Sequence, residues 1–317
     1  MRAFVTGGAG FIGSNLADKL LHLGHEVVVF DNFSTGQQAF VDHNLKNPDY
    51  LLVEGDVLDK AILTSAMRDC DFIFHFQANA DVRGGIVNTQ IDLEQNIIGT
   101  HHVLEAMKIN DIRKIAFASS ATVYGEPDQI PTPEDTVPIQ TSIYGASKYS
   151  AEALIQAYCE YFEIKSWIFR FVSFMGPRYT HGVIYDFMKK LRDNPGKLSI
   201  LGDGAQRKSY LHVSDGIEAI LLAIEKSDQK TNIFNLGNRE WINVTDLADI
   251  VCNAMGLKDV NYVYSGGKRG WLGDTPFVHL DISKISALGW EPHFTVKDTI
   301  LETVKYLRQN ETILDVR

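Results

Sequence analysis

Met1-Arg2-Ala3-Phe4-Val5-Thr6-Gly7-Gly8-Ala9-Gly10-Phe11-Ile12-Gly13-Ser14-Asn15 is the stretch on which the reading of this chain turns. Arg2 to Thr6 is a short apolar run centred on Phe4 and Val5, the pattern of a buried strand. Ser14 and Asn15 open a helical pattern that continues through Leu16, Leu20 and Leu21. Between the two, Gly7 permits a sharp turn, Gly10 lets backbone approach a pyrophosphate, and Gly13 lets helix pack on strand. The helix N-terminus, at Phe11 and Ile12, offers N–H groups and the positive end of the helix dipole to that anion. A glycine triplet alone marks only a turn; here strand and helix stand on either side of it, as a dinucleotide site requires. A second strand, Glu26 to Phe30, ends at Asp31, and a carboxylate there suits the two hydroxyls of an adenosine ribose.

The bulk properties narrow the class. A chain of 317 residues can bury a sizeable core, and two lobes are expected. With 45% apolar and 22% charged residues, and no apolar run of about 18 residues, a globular chain without a membrane span is expected. The first strand starts at Arg2, which leaves no room for a signal peptide, so a cytoplasmic location is expected. Cys70, Cys159 and Cys252 are widely spaced in apparently regular elements, which predicts buried free thiols. A net charge of −10 argues against non-specific nucleic-acid binding, so an anionic ligand must be held by local donors. No metal site is expected, since His101 and His102 are adjacent on a helix and point in different directions.

Strand candidates at 2–6, 26–31, 50–54, 71–77, 113–119 and 164–171 alternate with helices near 13–23, 59–68, 92–108 and 145–162. Such alternation predicts right-handed crossovers and an α/β fold, a Rossmann-type doubly wound parallel sheet covered on both faces. After residue 171 the pattern loosens into shorter elements, with helices near 183–193, 214–226, 245–255 and 296–308. The expected organisation is a dinucleotide-binding domain over 1–172, with 210–240 packing back onto it, and a smaller, interwoven C-terminal α/β substrate lobe over 173–317. Gln129–Gln140, with Pro131, Pro133 and Pro138, is expected to be a loop. Asp56, after Leu51-Leu52-Val53-Glu54-Gly55, falls where a strand ends over the adenine side of the crevice; a solvent-facing turn aspartate is the alternative.

Chemistry gathers further along. The fifth strand runs into Ala118-Ser119-Ser120-Ala121-Thr122-Val123-Tyr124-Gly125, and Tyr144-Gly145-Ala146-Ser147-Lys148 opens the long helix. Residues four apart share a helix face, so Tyr144 and Lys148 can serve one site. A free phenol, with a pKa of about 10, is a poor base at neutral pH. A nearby ammonium and an oxidised nicotinamide both favour its phenolate. Ser120, at a strand's C-terminal end, can hold the same substrate hydroxyl. His75, within Phe72-Ile73-Phe74-His75-Phe76, reads as a hydrogen-bonded core residue, and Leu154, Tyr158, Tyr161 and Phe162 as helix packing.

On these residues the chain resembles the extended short-chain dehydrogenase/reductases, and among them the nucleotide-sugar epimerases of the UDP-glucose 4-epimerase type. The resemblance spans essentially the whole chain. It rests on Thr6 to Gly13, Asp31-Asn32 with Ser34-Thr35-Gly36, Gly55-Asp56, His75 to Val82, Asn96 with Gly99-Thr100, Ser119 to Gly125, and Tyr144 with Lys148. It implies Tyr144 as catalytic acid/base, Lys148 as the residue that binds the nicotinamide ribose and tunes Tyr144, and Ser120, with Thr122 nearby, as the holder of the sugar hydroxyl. NAD is the implied cofactor, because a 2′-phosphate would meet Asp31. The implied NAD contacts are Gly7, Gly10, Phe11, Ile12, Gly13, Asp31, Asn32, Ser34, Thr35, Gly36, Asp56, Val57, Phe76, Gln77, Ala78, Asn96, Ser119 and Phe171. A homodimer through the helices near 92–108 and 145–162 is also implied.

For the substrate, a UDP-sugar, the resemblance implies Asn79, Val82, Ser120, Ser173, His181, Gly182, Val183, Arg207, Lys208, Arg269 and Asp274. Several of these depart from the pattern. Ser173 stands where relatives usually carry asparagine, Lys208 falls at an arginine column with Arg207 before it, and Trp271 occupies another arginine column, so Arg269 is expected to supply that charge. Gln77, where relatives commonly have alanine, has no account in the sequence. Val278 falls near a column that limits access for an N-acetyl group. The implied activity is epimerisation at C4 of a nucleoside-diphosphate sugar, UDP-glucose/UDP-galactose, through a transient 4-keto sugar. The alternatives are a 4,6-dehydratase or UDP-glucuronate decarboxylase on the same fold, or a non-catalytic dinucleotide sensor. Dehydratases of this type carry Asp-Glu where this chain has Ala121-Thr122, and decarboxylases usually a glutamate at Thr122, so the sequence favours epimerisation.

Overall fold

The structure is a computed structural model that describes residues 1–79 and 81–315; Ala80, inside the His75–Val82 stretch, lies outside the described residues. Seven strands form one sheet: β1 (Arg2–Thr6), β2 (Glu26–Asp31), β3 (Tyr50–Glu54), β4 (Phe72–His75), β5 (Lys114–Ala118), β6 (Lys165–Phe171) and β7 (Thr231–Leu236). Their order is β7-β6-β5-β4-β1-β2-β3, and every pairing from β3 to β6 is parallel. This is the α/β doubly wound sheet that the alternating pattern predicts. The order reverses between β1 and β4, so the chain leaves these neighbours in opposite directions and opens a crevice at their C-terminal ends. Thr6 pairs in register with His75 at that point.

The helices follow apolar periodicity with one break. They are α1 (Phe11–His22), α2 (Lys60–Ala66), α3 (Gly84–Val87), α4 (Thr89–Asp92), α5 (Gly99–Ile109) and α6 (Ile143–Phe162). The single helix expected near 92–108 is instead α4, a π-turn at Leu93–Ile98, and α5. A π-turn adds a residue to the turn and rotates the side chains that follow, a feature frequent at functional sites.

The chain divides into two compact units. The first comprises Met1–Val123, Ser142–Arg170 and Ile220–Phe234, and the second Tyr124–Thr141, Phe171–Ala219 and Asn235–Arg317. The core of the first is built from Phe4, Val28, Ile73 and Ile115 of the sheet, packed with Leu104 of α5 and Ile155 of α6, all at most 1% exposed. In the second, Ser173–Met175 pairs parallel with Tyr210–His212, and Arg207–Lys208 lies between Ile242–Asn243 and Phe277–Val278. The helix Val296–Gln309 is closed at its N-terminus by a reciprocal cap between Thr295 and Asp298, which satisfies two otherwise orphaned N–H groups. Cys70, Cys159 and Cys252 are buried free thiols. Among the described residues no helix is long and apolar enough to cross a membrane.

Candidate active site

The glycine turn closes on itself. Gly7 has φ +69°, and a Cβ there would lie 2.8 Å from the Gln77 amide nitrogen. A Cβ at Gly13 would lie 2.2 Å from the Gly7 carbonyl oxygen, which already accepts the Gly10 N–H at 3.1 Å. Only glycine keeps strand, turn and helix this close. No side chain caps α1 at Gly10, so its N-terminal turn, with Phe11, Ile12 and Gly13, presents backbone donors suited to a pyrophosphate.

Asp31 ends β2 and is 8% exposed. Its carboxylate accepts the Ala9 N–H at 2.9 Å and the Phe33 N–H at 2.8 Å, which fixes its orientation beside the turn. Burial raises its pKa, and the two N–H bonds oppose that shift. Gly36 lies close enough that a Cβ would come within 2.7 Å of Asp31 Oδ1. Asn32 Nδ2 donates to Asp56 Oδ2 at 2.8 Å, and Asn32 Oδ1 accepts the Ser34 N–H at 3.0 Å; Thr35 follows in the same loop, its carbonyl taken by Gln37. Val57 is buried, and its carbonyl accepts from His102 Nδ1 at 3.0 Å. Backbone donors at the turn and a fixed carboxylate at the end of β2 are groups that fit NAD.

His75 holds the floor of the crevice. Its Nδ1 is 2.8 Å from Thr6 Oγ1 and its Nε2 is 3.0 Å from Thr100 Oγ1. The Thr100 hydroxyl donates to the Asn96 carbonyl at 2.6 Å, so it accepts from His75 Nε2–H. Thr6 must then donate to Nδ1, and its oxygen is left to accept the Phe76 and Gln77 N–H groups at 3.1 and 3.2 Å. A neutral histidine thus fixes the turn at the switch point. Burial and the nearby Lys148 charge depress its pKa to about 3. It is the core residue its apolar surroundings predict. Gln77 now has a partner: its Nε2 donates to Gln95 at 2.6 Å, although among the described residues its buried Oε1 makes no hydrogen bond. Ala78 and Asn79 follow, and the Asn79 N–H donates to Asn96 Oδ1 at 2.9 Å. Val82 is half-buried in the turn beyond.

The candidate reactive residues come from β5, the turn after it, and α6. Thr122 Oγ1 donates to Ser120 Oγ at 2.9 Å, with the Thr122 N–H 3.2 Å from the same oxygen. Ser120 in turn sits beside the Tyr144 phenol and pulls its pKa down. Lys148, one helical turn along α6 and 2% exposed, donates from Nζ to the Ala118 carbonyl at 2.9 Å, 4.8 Å from the centre of the Phe117 ring. Burial lowers the Lys148 pKa to about 7, against the raising effect of Asp92 and Glu152. Burial and then the Asp92 charge hold the Tyr144 phenol above its ordinary range, and Ser120 pulls the other way. Sequence reasoning missed Asp92 and Glu152. Glu152, fully buried, accepts from the Ser119 hydroxyl and from Arg170 Nε at 3.0 Å and Nη2 at 2.6 Å.

In the second unit, the Phe171 ring packs tilted against Phe174, centroids 4.5 Å apart, and Ser173 is exposed. Gly182, with φ +103°, precedes the helix Val183–Asp193; a Cβ there would strike the Tyr179 hydroxyl at 2.1 Å. The His181 ring stacks on Tyr179. The three basic candidates differ. Lys208 donates to Asp274 Oδ1 at 2.7 Å and Arg269 pairs with Glu126, so both charges are neutralised within the unit. The Arg207 guanidinium lies 5.0 Å from the Trp241 ring centre and 5.5 Å from that of Phe277, and among the described residues it ion-pairs with no carboxylate. Asp274 also accepts the Gly270 N–H at 3.0 Å, and so acts as an anchor for the Lys208 side chain.

Residues 3–237 match the NAD dependent epimerase/dehydratase family. The chain belongs to this family. It is 39% identical to a solved UDP-galactose 4-epimerase, covering 98% of this chain and 99% of that one, with a TM-score of 0.88. Against the UDP-glucose 4-epimerase of Thermotoga maritima, solved with UDP-glucose, identity is 32%, coverage 98% and 100%, and TM-score 0.89. Against the UDP-glucuronic acid 4-epimerase of Bacillus cereus, in complex with UDP-glucuronic acid and NAD, the figures are 28%, 98% and 100%, and 0.90.

Proposed function

We propose that this protein is an NAD-dependent epimerase that inverts C4 of a nucleoside-diphosphate sugar, with UDP-glucose and UDP-galactose as the substrate pair. One observation carries the reading: the Ser120 hydroxyl, held by Thr122, sits beside the Tyr144 phenol, with Lys148 buried one turn along the same helix. NAD, held by the glycine turn and Asp31, supplies the hydride acceptor and donor when bound. Ser120 orients the sugar's C4 hydroxyl, and Tyr144 takes its proton as C4 becomes a ketone. The 4-keto sugar turns over, and Tyr144 returns the proton to the same oxygen. The cycle is neutral in protons and electrons. Ala121 and Thr122 offer no carboxylate for removing a C5 proton or expelling a C6 oxygen, which argues against a 4,6-dehydratase.

The remaining assignments belong to the same reading. The reading gives the nucleotide diphosphate to Arg207, since Lys208 and Arg269 are already paired. It gives Ser173, His181, Gly182 and Val183 to the same ligand group, and Asn79 and Val82 to the sugar. A homodimer through α5 and α6 is supported by exposed apolar side chains there, Ile109 at 62% and Tyr161 at 80%. The free thiols support a reducing, cytoplasmic setting.

The test incubates the protein with UDP-glucose, UDP-N-acetylglucosamine and UDP-glucuronate and resolves the C4 epimers. UDP-glucose should equilibrate with UDP-galactose, and Tyr144→Phe should slow this by about 10²–10⁴-fold. A 4-keto-6-deoxy product, or Tyr144→Phe turning over normally, would overturn the reading.

A further inference from the structure

Asp92 is fully buried at the end of α4, where the chain enters the π-turn. Its Oδ1 accepts from Asn79 Nδ2 at 2.9 Å and from Asn96 Nδ2 at 3.2 Å. Among the described residues its Oδ2 makes no hydrogen bond, and it faces Gly85 so closely that a Cβ there would lie 2.4 Å away. A buried carboxylate oxygen without a donor is costly unless a charge elsewhere compensates it. Lys148 presents the complementary deficit: a buried ammonium whose hydrogen bond goes to a carbonyl and which, among the described residues, makes no ion pair. Both α4 and the π-turn pack on α6. The same Asn96 Nδ2 that reaches Asp92 donates to Ser147 Oγ at 2.8 Å, and Ser147 Oγ donates to the Tyr144 carbonyl at 2.8 Å. A hydrogen-bonded path therefore runs from Asp92 to the backbone of the phenol-bearing residue.

We propose that Asp92 is the counter-charge of the Tyr144–Lys148 pair, a positioning residue that sets the pH at which the phenol ionises. The inference rests on Tyr144 as the acid/base. Asp92 favours the ammonium of Lys148 and disfavours the phenolate of Tyr144, in line with the directions in which it moves both groups. The other charges around this set are Asp81, which faces Asp92 from the loop after β4, and Glu152, which faces Lys148 from α6. His75 stays neutral below the lysine. Glu152 is matched by Arg170. Asp92 is therefore the carboxylate left to balance Lys148.

The test is a pH titration of the NAD-loaded protein that follows the Tyr144 phenolate by ultraviolet absorbance, with Tyr144→Phe as the subtraction that isolates this phenol. Asp92→Asn and Asp92→Ser remove the same charge with different shapes. Both should move the phenolate midpoint, and the rising limb of the kcat/KM profile, down by about one pH unit. A midpoint unmoved in both variants, with lowered activity alone, would overturn the inference and leave Asp92 a packing residue. Failure of the epimerase reading shows separately, as turnover surviving in Tyr144→Phe, because the absorbance titration needs no substrate.

Discussion

Glu152→Leu is the substitution that tests how the reactive strand end is held. Glu152 is fully buried and Arg170 4% exposed, and the carboxylate takes the Nε and Nη2 hydrogen bonds of the guanidinium together with the Ser119 hydroxyl. Two opposing terms set the magnitude. The intact pair contributes little net stability, since desolvating two charges costs about as much as their attraction returns. Removing one partner is different: it leaves the guanidinium buried without its counter-charge, at a cost of about 3–5 kcal/mol. Glu152→Leu should therefore lower the melting temperature by roughly 6–10 °C, taking about 2 °C per kcal/mol for a large domain. The double variant Glu152→Leu/Arg170→Met removes both charges and should recover most of that loss. The assay is urea and thermal unfolding of the wild type, both single variants and the double, read as a coupling energy. If Glu152→Leu cost less than about 1 kcal/mol, or the double variant were as unstable as the sum of the singles, the pair would not hold this region as argued.

Two further outcomes follow from the same geometry. Gly13→Ala forces a methyl against the Gly7 carbonyl, where only backbone can give way, so it should cost about 1–3 kcal/mol and weaken NAD binding at least about tenfold, read by calorimetric titration. A variant binding NAD normally would show that the turn is not the cradle. His75 has a folded pKa of about 3 against 6.5 in the unfolded chain, so the unfolded state binds the extra proton between those values. Stability is therefore fully present above pH 6.5 and declines as pH falls toward 3, by up to about 1.4 kcal/mol per unit. Urea midpoints at pH 7 and pH 5 should differ more in the wild type than in His75→Asn, and equal differences would contradict the neutral buried tautomer.

What could be read from the sequence is what depends on near neighbours. The glycine turn, Asp31 at the end of β2 and the Tyr144–Lys148 spacing are local, and strand alternation implies the parallel sheet before any contact is known. Asp92 was hidden because a π-turn breaks the 3.6-residue period, so a helix drawn straight through 92–108 puts residues on the wrong faces. The Glu152–Arg170 pair was hidden for another reason: α6 and β6 bring together residues that no spacing rule connects. The basic residues of the second unit show a third limit. A column position suggests phosphate for Lys208 and Arg269, but Asp274 and Glu126 are distant in sequence and take both charges.

On the proposed reading, the choice of a phenol as the acid/base follows from this burial. A histidine in the same surroundings is already driven to a pKa of about 3, as His75 shows, and would hold no proton to return at neutral pH. A carboxylate would be driven the other way, as Asp92 and Asp31 are, and with weaker reach toward the proton affinity of an alcohol. A phenol starts high, is raised further by burial, and so keeps its proton until a positive charge is brought beside it. The protonation state of the site is then governed by what binds there, which is the behaviour a reaction that takes a proton and gives the same proton back requires. Lys148, poised near pH 7 by the opposition of burial to Asp92 and Glu152, is the group whose charge those neighbours can move most readily.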